Sequence, residues 1–392
     1  MIAMVLRTAF LAAVALVMGC TAAAVPEPAE AFETAAREAL IVDHDTGMVL
    51  LEKNADVPMP PASMSKLMTI YLVFEALQQG RLQMDSMLPV SERAWNMQGS
   101  KMFTEVGTSI AVEDLIHGVI VQSGNDACIV LAEALSGSEE AFADRMNNKG
   151  AELGLTNSVF ANSTGWPDPR QRMSARDLVV LAERLIRDFP EYYPYFSHTE
   201  FTWEGIKQEN RNPLLYMGIG ADGLKTGHTE EAGYGLVGSA VQGDRRVTFV
   251  ITGLSSMQQR SEEAERLVTW AFRSFEKHAL YKSGDVVAQA EVWLGLEDRV
   301  NLQTRGDLAI LIPQGSGTGI RARVSYQGPV EAPIEAGQEI ARLIVDIPDL
   351  GERSFPLVAA REIPRGGFLT RLNTSAGVLG EKVLELAGQG GD

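Results

Sequence analysis

The apolar positions of the chain fall first into two short runs, residues 39–42 and 48–51, separated by Asp43-His44-Asp45-Thr46-Gly47. A gap rich in Asp and Gly between apolar runs predicts a hairpin. Pro58-Met59-Pro60-Pro61 then breaks regular structure, and the period changes. From residue 63 to 79, Leu67, Ile70, Tyr71, Phe74 and Leu77 recur at three- and four-residue spacings, which predicts a helix stopped by Gly80. Residues 112–121 and 127–135 predict two more helices, interrupted by Ser123-Gly124-Asn125, and residues 175–186 predict a fourth. After Gly220 the runs shorten to residues 224–226, 233–241 and 247–254, joined by turn residues such as Gln242-Gly243-Asp244, and predict antiparallel strands. Residues 260–275 return to a helical period through Ala264, Leu267, Ala271 and Phe275.

This order predicts an α+β fold, with the N-terminal hairpin and the late strands in one antiparallel sheet flanked by helices. Beyond about residue 282, five β-like runs (286–294, 308–312, 320–326, 340–347 and 354–360) are separated by Gly and Pro clusters and predict a small all-β domain. At the end, Phe368, Leu372, Ala376, Leu379, Val383 and Leu386 share one face of an amphipathic helix. The start reads as an export signal: Arg7, then an apolar run from 8 to 18 that is too short to span a bilayer. Two processing readings stand. Pro28-Ala29-Glu30-Ala31 offers cleavage after Ala31, and Val17-Met18-Gly19-Cys20 offers lipidation at Cys20. Both take the chain out of the cytoplasm. The expected division is a signal at 1–31, a first domain at 32–277, a β-rich domain at 283–364 and a tail at 366–388.

Charge narrows the function classes. A formal net charge of -17 over 392 residues excludes a nucleic-acid binder that works through clustered Lys and Arg. The two cysteines, Cys20 and Cys128, give no disulfide framework. None of the five histidines is paired in sequence at metal-ligand spacing, so neither a metal nor another cofactor is expected.

Three short motifs carry chemistry. In Ser63-Met64-Ser65-Lys66, a three-residue separation puts Ser63 and Lys66 one helical turn apart on the same side. A serine hydroxyl needs a base, and a lysine serves as one when burial or neighbouring positive charge lowers its pKa. The unpaired N–H groups of the helix start suit a developing oxyanion. A second copy of the spacing, Ser274-Phe275-Glu276-Lys277, reads as a solvated helix terminus, so the spacing alone proves nothing. The second motif, Ser123-Gly124-Asn125, lies between two helices. The third, Lys225-Thr226-Gly227-His228, lies on a strand, where Gly227 leaves room for a ligand backbone to approach.

Ser-x-x-Lys, then Ser-x-Asn, then Lys-Thr-Gly, each in its proper context, mark the active-site serine enzymes that react with penicillin. The chain resembles the low-molecular-mass penicillin-binding proteins of the D-alanyl-D-alanine carboxypeptidase type. Pro60-Pro61-Ala62-Ser63, Asn162-Ser163-Thr164-Gly165 and His228-Thr229 extend the match, and the second motif departs from Ser-Asp-Asn. The resemblance implies a β-lactamase-like peptidase domain and an acyl-enzyme on Ser63. It makes Lys66 the base and Ser123 the proton relay to the departing D-alanine. Asn125 holds the substrate amide, and Lys225 and Thr226 hold its terminal carboxylate. The N–H groups of Ser63 and His228 form the oxyanion hole, and Arg260 is a further basic residue near the carboxylate. It implies peptidoglycan stem peptides as substrate, β-lactams as covalent inhibitors, and a periplasmic enzyme with a tail like the family's membrane anchor. Because Arg371 and Lys382 cancel Glu381 and Glu385, a tail packed on protein or frayed stands beside an anchor at the outer face of the inner membrane. Three other functions compete: D,D-endopeptidase, β-lactamase and a non-catalytic wall-binding protein. The first uses the same residues. A class A β-lactamase needs a glutamate-activated water, and Thr164-Gly165-Trp166-Pro167 occupies the stretch where that glutamate belongs. A scaffold has no need of the intact set.

Overall fold

The computed structural model describes residues 32–315, 319–347 and 350–367. The expected signal at 1–31 and nearly all of the expected amphipathic tail lie outside the described residues.

Five antiparallel strands form the central sheet. Their order is Val49–Lys53, Glu38–Asp43, Arg245–Leu254, Gly233–Gln242 and Ala221–Thr229. The N-terminal hairpin therefore joins the late strands, as the pattern predicted. Alternation sorts the side chains between two cores. Leu40, Leu224, Val237 and Val250 face a large helical cluster. Ala39, Ile41, Leu236, Phe249 and Ile251 face the long helix Met257–Ser274. The helix Lys66–Gln78 buries 11 of its 13 residues and is apolar nearly all round, so it lies within the protein and not on its surface. Around it pack Val112–Ile120, Asn125–Ser136, Ala175–Asp188 and one helix the periodicity did not predict, Glu139–Leu153.

Two sequence expectations are corrected here. Ser63 does not lie on the α-helix: it sits in a 3-10 turn, Ala62–Ser65, that feeds into it. Ser274 and Lys277 do not share a solvated helix end. The helix stops at Ser274, and Lys277 lies on the strand Phe275–Tyr281, bonded to Asp45 at 2.8 Å.

The second lobe is all β. A six-stranded sheet and a two-stranded ribbon surround a separate core built on Val300, Leu302, Ile310, Leu343 and Leu357. The first lobe's hairpin reaches it through Met48 and Leu50. Arg245 of the central sheet donates to the Phe275 carbonyl at 2.6 Å, tying the sheet to the connecting strand.

Candidate active site

The turn that carries Ser63 is wedged against the sheet edge. Ala221–Thr229 is the outermost strand, and the 3-10 turn packs against it. A Cβ at Gly227 would lie 2.9 Å from Met64 Cγ and 3.0 Å from the Pro61 carbonyl, and one at Gly235 would lie 2.9 Å from Met64 Cε. Glycine at 227 thus makes room for the turn that carries Ser63, not for a ligand backbone as its sequence context suggested. The loop opposite is as tight. Gly165, at φ +76, would place a Cβ 1.9 Å from the Ala62 carbonyl.

Lys66 is fully buried and its amine meets three oxygens: Ser63 Oγ at 2.9 Å, Asn125 Oδ1 at 2.8 Å and the Thr164 carbonyl at 2.5 Å. Its pKa is lowered to about 8, chiefly by burial and also by the nearby Arg211 guanidinium, while Cys128, Asp126 and Glu139 oppose. Only two of those oxygens are obligate acceptors. A neutral amine has two N–H groups and one lone pair. When neutral, it therefore spends its N–H groups on Asn125 Oδ1 and the Thr164 carbonyl and turns the lone pair to the one of these partners that can donate, the Ser63 hydroxyl.

The other walls are braced from behind. Asn162 Oδ1 accepts from the N–H groups of Thr164, Gly165 and Trp166, shaping the loop that presents the Thr164 carbonyl. Asn125 Nδ2 donates to the Gln98 carbonyl at 2.7 Å, so Oδ1 is left facing Lys66. Asp126, fully buried, accepts from the N–H groups of Met102, Phe103, Thr104 and Ala127. That explains glycine at 124, where a Cβ would lie 2.9 Å from Asp126 Oδ1. Ser123 is buried at φ +59 and its Oγ has no hydrogen-bond partner among the described residues. A strained backbone under an unpaired buried hydroxyl points to use by a ligand.

Among the described residues, buried Lys225 has no carboxylate partner and one hydrogen bond, to the Thr226 carbonyl at 3.2 Å. Burial, then Lys66 and Arg211, holds its pKa well below the ordinary lysine value. Thr226 is buried beside it, while His228 is exposed with its ring stacked 3.9 Å from that of Tyr234. Arg260 is 5% exposed and donates to the Arg211 carbonyl at 3.0 Å. Burial brings its pKa down to about 10. Arg260 thus supports the backbone that carries Arg211, and Arg211 in turn is bonded to Ser100 Oγ on the cleft wall at 2.7 Å. Arg211 has no carboxylate partner among the described residues, and sequence reasoning missed it. Its signal is faint, one arginine in the polar stretch Asn210-Arg211-Asn212 with no periodic context.

The cleft is lined by Ser63, Ser100, Asn125, Thr164, Trp166 and His228, and Glu230 is its sole carboxylate among the described residues. Behind the cleft Lys66, Lys225 and Arg211 lie within electrostatic reach of one another, and Lys66 touches the serine, an arrangement suited to acyl transfer from a substrate ending in a carboxylate.

The comparisons agree with that chemistry. The family model described as D-alanyl-D-alanine carboxypeptidase matches residues 22–256, and that of the penicillin-binding protein 5 C-terminal domain matches residues 275–365. The chain is 38% identical to the D-alanyl-D-alanine carboxypeptidase DacC of Escherichia coli over 90% of each chain. Penicillin-binding protein 5 of Haemophilus influenzae superposes with a TM-score of 0.80 at 35% identity, over 85% of this chain and 98% of that one. Penicillin-binding protein D2 of Listeria monocytogenes, solved in an ampicillin-bound form, matches at a TM-score of 0.57 and 32% identity, over 62% of this chain and 98% of that one.

Proposed function

The chain belongs to the D-alanyl-D-alanine carboxypeptidase family, and on that premise we propose how its residues divide the work of a serine-type enzyme of that activity. Ser63 is the nucleophile. Neutral Lys66 takes its proton as Oγ attacks the carbonyl carbon of the penultimate D-alanine. The oxyanion is held by the N–H groups of Ser63 and His228. As the C–N bond breaks, the proton passes by way of the Ser123 hydroxyl to the departing amine. Free D-alanine leaves and an ester on Ser63 remains. Water, deprotonated through the same groups, then releases the shortened peptide. Lys225, Thr226 and the neighbouring Arg211 hold the terminal carboxylate, and Asn125 orients the substrate amide. Arg260 acts through Arg211.

The observation that carries this assignment is the buried Lys66 amine in contact with Ser63 Oγ, Asn125 Oδ1 and the Thr164 carbonyl, so that, when neutral, its lone pair has Ser63 as its one donating partner among the described residues. The substrate is the stem peptide of peptidoglycan ending in D-alanyl-D-alanine, and β-lactams acylate the same serine. The enzyme works after export, at the periplasmic face of the inner membrane, directed by the N-terminal segment and held by the C-terminal tail. Among the described residues no helix is long and apolar enough to cross a membrane. The two lobes divide near residues 277–283.

The decisive experiment measures D-alanine release from a stem pentapeptide by wild type beside Ser63→Ala, with fluorescent penicillin labelling mapped by peptide mass spectrometry. Release by wild type alone and a single labelled peptide containing Ser63 are expected. Equal release by both proteins would sink the assignment.

A further inference from the structure

The trough that holds Ser63 continues past Trp166 into a second cavity of about 250 Å³, lined by Pro60, Pro61, Arg172 and Glu231 among others. Trp166, Thr229 and Glu230 border both parts, so the two are one trough. Its direction follows from the edge strand. A peptide whose terminal carboxylate sits at Lys225 and Thr226, and which pairs antiparallel with Ala221–Thr229, runs backward along that strand. Each residue before the scissile carbonyl then advances about 3.3 Å toward Thr229 and Glu230. The residue preceding the penultimate D-alanine arrives at the mouth of the second cavity.

The charges there do not cancel. Asp168 is paired with Arg170 at 2.8 Å and Glu231 with Arg172 at 3.1 Å. Glu230 has neither an ion-pair nor a hydrogen-bond partner among the described residues, which leaves one unit of negative charge in a cavity also lined by Pro60, Pro61, Trp166 and Pro167. Proline rings and an indole suit the methylenes of a long side chain, and a lone carboxylate suits the cation at its end.

We propose that this cavity is the subsite for the side chain of the residue preceding D-alanyl-D-alanine, and that Glu230 receives a primary ammonium at its tip. The enzyme then prefers stem peptides whose diamino acid carries a free amine. This inference rests on the carboxypeptidase reading given above. Glu230 is exposed, so the preference is modest, about three- to five-fold, and weakens with added salt.

The test compares kcat/KM for D-alanine release from two peptides, Nα-acetyl-L-lysyl-D-alanyl-D-alanine with its ε-amine free or acetylated. Wild type favours the free amine at low ionic strength, Glu230→Gln brings the ratio to one, and Glu230→Lys shifts preference toward an ε-succinylated peptide. Equal ratios in wild type and Glu230→Gln overturn the subsite even though both peptides are cleaved. Release of D-alanine from neither peptide by wild type overturns the carboxypeptidase reading itself, so the two failures look different.

Discussion

The pH dependence of acylation is the most direct test of the buried base. Lys66 must be neutral to accept the Ser63 proton, and its pKa stands at about 8 where an ordinary lysine has 10.5. At pH 7 about one molecule in ten then carries the neutral amine, and at pH 6 about one in a hundred. The second-order rate of β-lactam acylation should therefore climb about ten-fold per pH unit below 7 and level off above about pH 9. With an ordinary lysine the climb would continue past pH 10. Replacing Arg211 by Gln removes a positive charge that disfavours the Lys66 cation. Burial is the larger cause and stays, so the inflection should move upward only part of the way from 8 toward 10.5. Rates are measured by quenched fluorescent-penicillin labelling from pH 6 to 10, wild type beside Arg211→Gln. The position of the inflection is the readout, because the height also reflects weaker carboxylate binding. A flat wild-type profile between pH 6 and 9, or an inflection that moves down in Arg211→Gln, would refute the reasoning.

Three further outcomes follow from the geometry. Asp126→Asn replaces an oxygen that accepts from Phe103 and Thr104 with an N–H donor, leaving buried donors facing a donor. The cost of about 3–5 kcal/mol should lower the melting temperature by roughly 10 °C in a scanning calorimeter, and a change under 2 °C would contradict it. Gly165→Ala must push its loop off the Ala62 carbonyl and take the Thr164 carbonyl away from Lys66. Acylation should fall about 100-fold while the far-ultraviolet circular dichroism stays native, and wild-type acylation kinetics would argue against the packing. With no glutamate on the 164–167 loop to activate water, the penicilloyl-enzyme should persist, visible by intact-mass spectrometry as a one-to-one adduct lasting many minutes. Loss of the adduct within seconds would favour the β-lactamase reading.

Much of the frame was legible because it follows from period. The hairpin, the late strands and the helices carry their phases openly. The helix Glu139–Leu153 was hidden because its apolar stripe is narrow: Phe142, Ala143 and Met146 among eight charged or amide side chains. At the site, Ser63, Lys66, Ser123, Asn125 and Lys225 were read from motifs, and the structure brings Ser63, Lys66 and Asn125 into direct contact. What period and motif cannot supply is the reverse side of the site. Asp126 holds the Met102–Thr104 backbone, and Arg211 reaches Ser100, across separations of 22 to 111 residues that leave no local trace. The role of Gly227 was misread for the same reason, since the atoms that require it belong to Pro61 and Met64.

The three bonds to the Lys66 amine come from chain segments 3, 59 and 98 residues away. No fragment of the protein therefore owns the base: it exists only where those segments meet. A chain kept extended has an ordinary serine and an ordinary lysine, and neither reacts. Completion of folding is the act that assembles this pairing of serine and lysine, so an unfolded chain is no hazard to D-alanyl-D-alanine peptides.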